Sequence, residues 1–265
     1  MKRIVTALLV LALASCGKDE PTIPVPVPTD TLSDARTVLL NQVVVQNLPS
    51  PFFKFVYDQN RFVTEASFAS SLDVYKMEYE NKRVKKVSNT KNGRYMLYNY
   101  SNGNVASIDE FGLNNQKLVS YEFLYNATGK LIQVNWKLFA ENAGGEIYKQ
   151  HKLSYYADGN LAKIELWTNE PGLLQLSSTE TFDEYDNSAN VDDFYLLKEF
   201  FDSYLFLPQV KLQINNPHKH NISNGDNEFE ITYTYDFNTN NLPVKKSGVM
   251  KQTKGPDEGK GEPAE

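Results

Sequence analysis

The stretch Tyr100-Ser101-Asn102-Gly103-Asn104-Val105-Ala106-Ser107-Ile108 decides how this chain folds. Asn102-Gly103 is a preferred centre for a tight hairpin turn, because glycine accepts positive φ at no steric cost. The same spacing returns in Tyr156-Ala-Asp-Gly159-Asn-Leu161-Ala-Lys-Ile164. Tyr125-Asn-Ala-Thr-Gly129-Lys-Leu131-Ile-Gln-Val134 is that unit with one extra residue. Tyr79, Val84 and Val87 repeat it with Lys82 where the glycine would stand, and weaker copies begin at Tyr57, Tyr185 and Tyr235.

Before each turn the chain alternates at period two: Phe53/Phe55/Tyr57, Tyr75/Met77/Tyr79, Tyr121/Phe123/Tyr125 and Phe229/Ile231/Tyr233/Tyr235. Alternating aromatics set one face of a strand against a core and leave the other polar. After the turn, Leu or Val is followed three residues later by Ile or Val. In a regular strand that separation puts the two side chains on opposite faces. Either both faces are partly buried, or a bulge resets the register; for the middle strands the first is expected. Tyrosines at 57, 79, 100 and 125 imply a hairpin every 21 to 25 residues. The expected fold is all-β, an antiparallel meander of hairpin repeats in a strongly curved or barrel-like sheet.

The pattern breaks after Asp192. Phe194, Leu197, Phe201 and Tyr204 sit at helical spacing behind Asp192-Asp193, and Pro208 would stop a helix, so a short one is expected near 194–205. Residues 251–265 mix Lys, Glu, Gly and Pro with no large apolar side chain and are expected to be a disordered tail. The folded β-repeat domain is placed at 31–250.

At the other end, Lys2 and Arg3 precede an apolar run from Ile4 to Ala14 and then Cys16, the chain's single cysteine. Eleven apolar residues reach only about 16 Å as a helix, too short for a hydrocarbon core of ~30 Å. Residues 1–15 therefore read as a signal peptide. Leu13-Ala14-Ser15-Cys16 resembles the lipobox of bacterial lipoproteins, which implies that Cys16 is acylated and becomes the mature N-terminus. Gly17-Lys18-Asp19-Glu20 resembles the short acidic export signal of Bacteroidetes surface lipoproteins, with Lys18, Asp19 and Glu20 carrying the likeness. Residues 16–30 form an acidic and proline-rich linker. Its prolines favour an extended spacer that holds the domain roughly 25 Å or more from a bilayer.

The Tyr-x-x-x-Gly-x-Leu-x-x-Ile unit resembles the YD or RHS-type repeat. Leu212-Gln-Ile-Asn215-Asn216-Pro217, together with Thr232-Tyr233-Thr-Tyr235-Asp-Phe-Asn238 and Leu242-Pro243-Val-Lys245, is similar to a family of lipoproteins described as a domain of unknown function with a porin-like fold. The resemblance covers about residues 37–247. It implies an extended, curved or closed antiparallel sheet and no known activity. The length and toxin module of large RHS proteins are missing, so secreted-toxin function does not carry over.

A formal net charge of −6 argues against nucleic acid, whose phosphates demand a basic patch. Apart from acyl chains at Cys16, nothing in the sequence reads as lipid-binding. Nucleophile elbows, zinc helices, phosphate loops and dinucleotide fingerprints are all missing. His218-Lys219-His220 would share a strand face but lacks a third metal ligand. Asp186, Ser188, Asn190 and Asp192 have calcium-loop spacing, but Val191 replaces the glycine and Leu197 the closing glutamate. No metal and no cofactor are expected. Trp136 and Trp167, just beyond the return-strand apolar positions, are the candidate ligand-binding rings, for stacking on a glycan or peptide. The expected protein is a non-catalytic binding or scaffolding module on the outer membrane, at the cell surface. The alternatives are a glycan hydrolase with a carboxylate or calcium site, and a periplasm-facing envelope component.

Overall fold

The computed structural model describes residues 39–139, 144–169, 172–191 and 204–264. The signal peptide, Cys16, the export residues Lys18, Asp19 and Glu20, and the linker lie outside the described residues. The strands are β1 (Gln42–Val43), β2 (Phe53–Tyr57), β3 (Val63–Phe68), β4 (Asp73–Glu80), β5 (Arg83–Asn89), β6 (Tyr95–Ser101), β7 (Asn104–Phe111) and β8 (Lys117–Tyr125). They continue as β9 (Leu131–Leu138), β10 (Glu146–Tyr155), β11 (Leu161–Asn169), β12 (Leu174–Ala189), β13 (Asn215–Ser223), β14 (Glu228–Phe237), β15 (Pro243–Lys254) and β16 (Gly261–Ala264). All sixteen pair in chain order as one antiparallel meander, the all-β architecture expected. Among the described residues β1 and β16 do not pair with each other, so the sheet is open rather than closed into a barrel.

The return-strand puzzle resolves in favour of the bulge, against the expectation of two buried faces. Tyr79 opposes Val84 while Glu78 opposes Lys86, which leaves Lys85 as an extra residue. The same slip leaves out Thr64, Ala106, Ile132 and Ala162 in the neighbouring hairpins. One inserted residue restores parity, so both members of each apolar pair turn inward. Val84, Val87, Val105, Ile108, Leu131, Val134, Leu161 and Ile164 are all buried.

The repeat tyrosine is the second device. Its hydroxyl donates across to the neighbouring strand, where the acceptor is the carbonyl of the first residue in the preceding apolar pair. Tyr79 reaches Val63 at 2.8 Å, Tyr100 reaches Val84 at 2.8 Å, Tyr155 reaches Leu131 at 2.8 Å and Tyr185 reaches Leu161 at 2.7 Å. Tyr57 and Tyr235 make the same bond to Leu40 and Pro217. Only the Tyr125 hydroxyl, among the described repeat tyrosines, is buried without a partner. The ladder also corrects the alignment of one unit. Tyr155, not Tyr156, is the repeat residue; Tyr156 is exposed and bonds Asp183. Tyr155 and Leu161 face each other across a six-residue step, as Tyr125 and Leu131 do, whereas Tyr100 and Val105 use five.

The inner face is filled by residues 204–212. Tyr204, Leu205, Phe206, Leu207, Val210 and Leu212 are all at most 5% exposed and share one cluster with side chains from β2 to β12. Laid flat, those eleven strands would stretch about 48 Å, yet nine residues reach at most about 32 Å. A sheet curved around the insert accounts for the single cluster. Asn160 pins the insert's far end, its Oδ1 accepting from the amides of Ile214 and Asn215 at 2.9 Å each. Gly159, at φ 89°, also leaves room there, because a Cβ would stand 2.9 Å from Ile214 Cδ1.

Two expectations for the later chain change. The helix near 194–205 falls mostly outside the described residues, and Tyr204 and Leu205 are irregular backbone packed in the core. The segment 251–264 is not a disordered tail. β15 runs on to Lys254 and β16 pairs with it, Gly248 opposite Ala264 and Lys251 opposite Gly261. Backbone pairing needs no large apolar side chain, and buried Gln252 ties the turn by bonding Asn227 Oδ1 and the Asp257 amide.

Candidate functional site: a polar pocket at the end of the hollow

The outer face carries cross-strand ion pairs: Lys86–Glu78 at 3.6 Å, Lys137–Glu122 at 2.6 Å and Lys117–Asp109 at 2.7 Å. Each contributes little alone, but together they mark a face built for water. A membrane-spanning barrel presents an apolar band outward. This sheet buries most of its large apolar residues inward, and Val56, Leu97, Leu124 and Leu176 are exposed on the outward phase of their strands.

At the end of the hollow away from the Tyr-Gly turns, the inward side chains become polar. Asp73 opposite Phe68, Asn89 opposite Tyr75 and Glu110 opposite Met96 all occupy inward registers. Together with Asn92 and Arg94 from the β5–β6 connection and the rings of Tyr75, Tyr121, Tyr148 and Tyr204, they line a pocket of about 380 Å³. That volume lies within the range of small-ligand sites.

The pocket's groups hold one another. Tyr121 donates to Glu110 Oε2 at 2.8 Å, and Arg94 stands 3.5 Å from Glu110 Oε1. Asn89 donates to Asp73 Oδ1 at 2.9 Å. Burial, then the Asp73 carboxylate, push the Tyr75 phenol above its ordinary pKa, so this ring stays neutral at physiological pH. Tyr204 closes the floor. Its ring packs 4.6 Å from Phe68 and 5.1 Å from Tyr75.

The residues singled out from sequence lie elsewhere. Trp136 is 3% exposed, packed against Tyr121, Tyr148 and His151 under the Lys149 ammonium, so it is a core ring and not a stacking platform. It stands two residues beyond buried Val134 on β9 and turns inward with it. Trp167 opposes Gln150 on the outer face, half-buried beneath Lys152, whose Nζ lies 4.2 Å from the ring centre. The two tryptophans therefore do not form one surface.

His218 Nδ1 contacts the Tyr233 carbonyl, and His220 lies between Glu180 and the Tyr233 hydroxyl. The oxygens of Asp186 are taken by Ser188 and Asn216 rather than gathered around a cation. Among the described residues no three His, Cys, Asp or Glu side chains gather at metal-binding distance. The pocket was missed because its residues come from six strands, a connection and the insert. A signal did exist: Asp73 and Glu110 place carboxylates on the inward phase of Tyr75/Met77 and Ile108.

Among the solved structures that resemble the chain are two porin-like proteins. One is a porin-like protein from Bacteroides uniformis, 14% identical, with a TM-score of 0.57 over 80% of this chain and 86% of that one. The other is a porin-like protein from Bacteroides vulgatus, 14% identical, with a TM-score of 0.51 over 74% of this chain and 85% of that one. The chain shares their porin-like fold. No family model and no curated protein matches it. The likeness extends to the fold, and the pocket has to be argued from this chain's own residues.

Proposed function

We propose that the protein is an outer-membrane lipoprotein, anchored through Cys16 and displayed at the cell surface, that acts as a non-catalytic binding module. The pocket at the end of the hollow is its binding site. The observation that carries this reading is a cavity of about 380 Å³ in which inward-facing Asp73, Asn89 and Glu110 interrupt an otherwise apolar face. Charged groups at core positions disfavour packing unless they serve a site. The anchor rests on the Leu-Ala-Ser-Cys16 sequence and the display on Lys18-Asp19-Glu20; the water-facing outer surface of the sheet is compatible with both.

Metabolic labelling with a palmitate analogue, followed by protease treatment of intact cells, tests the placement. Label should appear on the wild type and vanish in Cys16→Ala, and the domain should be cut without lysis. Label retained in the variant refutes the anchor, and full protection in intact cells favours a periplasm-facing component. A second reading, hydrolysis of a glycan, draws on Asp73 and Glu110 lining one pocket. New reducing ends released by the wild type but not by Glu110→Gln would favour it.

A further inference from the structure

Resting on the pocket as the binding site, we propose that its ligand is a neutral sugar unit, an uncharged ring bearing neighbouring hydroxyls. A hydroxyl both donates and accepts, so it is matched by a wall that mixes donors with acceptors. This wall does so within one cavity: Asp73 and Glu110 accept, Arg94 donates, and Asn92 does either. Much of that capacity is unspent. Arg94 has five N–H donors, and its one contact within the pocket is to Glu110 at 3.5 Å, with its side chain 55% exposed. Asp73 accepts from Asn89 through Oδ1, which leaves its second oxygen for a ligand. The tyrosine rings beside these groups offer faces for the C–H side of a sugar ring.

Charge and topology narrow the class. Two carboxylates against one guanidinium leave the lining net negative, which repels a phosphate or carboxylate ligand, while Arg94 offsets part of its draw on a free ammonium. A peptide recognised through its backbone needs an unpaired strand edge. The strands around the cavity, β4 to β8 and β10, are all paired on both sides. A peptide would therefore have to bind through side chains alone.

Isothermal titration of the full chain against maltotriose, cellotriose, xylotriose and mannotriose tests this, with digalacturonate and a tripeptide mixture as comparison arms. At least one neutral trisaccharide should bind. Arg94→Ala and Asn92→Ala, both at solvent-accessible positions, should each weaken it about tenfold or more at unchanged melting temperature. The outer-face control Lys245→Ala should not. If digalacturonate or peptide binds instead, and Arg94→Ala weakens that binding, the sugar assignment is overturned while the pocket survives as the site. Neutral-sugar binding indifferent to both pocket substitutions overturns the pocket, as does a full panel with no binding at all.

Discussion

Tyr155→Phe and Tyr125→Phe are the same chemical change in the same repeat position, and the structure assigns them opposite outcomes. The Tyr155 hydroxyl donates to the Leu131 carbonyl at 2.8 Å. Deleting it removes one half-buried hydrogen bond and should cost about 1 kcal/mol. The Tyr125 hydroxyl is buried with no partner, so its removal takes away a desolvated group and breaks no bond. Tyr125→Phe should be neutral or more stable by up to about 1 kcal/mol. With a urea dependence of about 2–3 kcal/mol per molar, the Tyr155 variant should unfold about 0.3–0.5 M earlier than wild type. The Tyr125 variant should match wild type or unfold later. Both rings stay in place, so neither substitution opens a cavity and the slopes should not change. Equal destabilisation by the two variants would falsify the ladder as the device that ties one hairpin to the next.

Trp136→Ala should cost about 3–5 kcal/mol, the loss of a buried ring, as read by thermal melting, and should not act as a selective loss of binding. Asn160→Ala strands the amides of Ile214 and Asn215 and should cost about 2–4 kcal/mol; hydrogen exchange should rise first around 204–214. Lys82 stands at φ 61° in a two-residue turn with exposed surroundings, so Lys82→Gly should stabilise by about 0.5–1 kcal/mol in urea titrations. Alkaline stability should fall from about pH 10. Burial raises the Tyr100 phenol to about 12, and Tyr125, Tyr155 and Tyr185 move up as well. The unfolded chain therefore releases those protons first, so stability is complete below the unfolded value of about 10 and is lost as pH climbs through the folded ones. Tyrosinate absorbance of these four buried phenols should rise only as the circular dichroism of the sheet is lost, and ionisation of all sixteen tyrosines with the sheet intact would contradict this.

The hairpins were legible because their cause is local: Asn102-Gly103 sets a turn, and alternating aromatics choose a face. The bulge was not. Val84 and Val87 pose the question in sequence, but only the pairing of Tyr79 with Val84 and of Glu78 with Lys86 answers it. Tyr156 was taken for Tyr155 because two turn lengths coexist and both positions are tyrosine. Trp136 and Trp167 looked alike by spacing, yet Trp136 stands two residues beyond Val134 and Trp167 three beyond Ile164, so simple alternation puts them on opposite faces. The tail was misjudged because composition reports on side-chain burial, whereas β16 is held by backbone bonds to β15.

The insert links the fold to the pocket. A meander of near-identical hairpins has one apolar face and no second layer to cover it, so something must fill the bend. Residues 204–212 supply filling from within the chain, between β12 and β13. Beside Tyr204, the inward rows of β4, β5 and β7 change from apolar to polar side chains. There the inward residues are Asp73, Asn89 and Glu110 rather than valine or isoleucine. Tyr204 thus belongs to both, packing on Phe68 and Tyr75 within the apolar filling and lining the polar pocket with its ring.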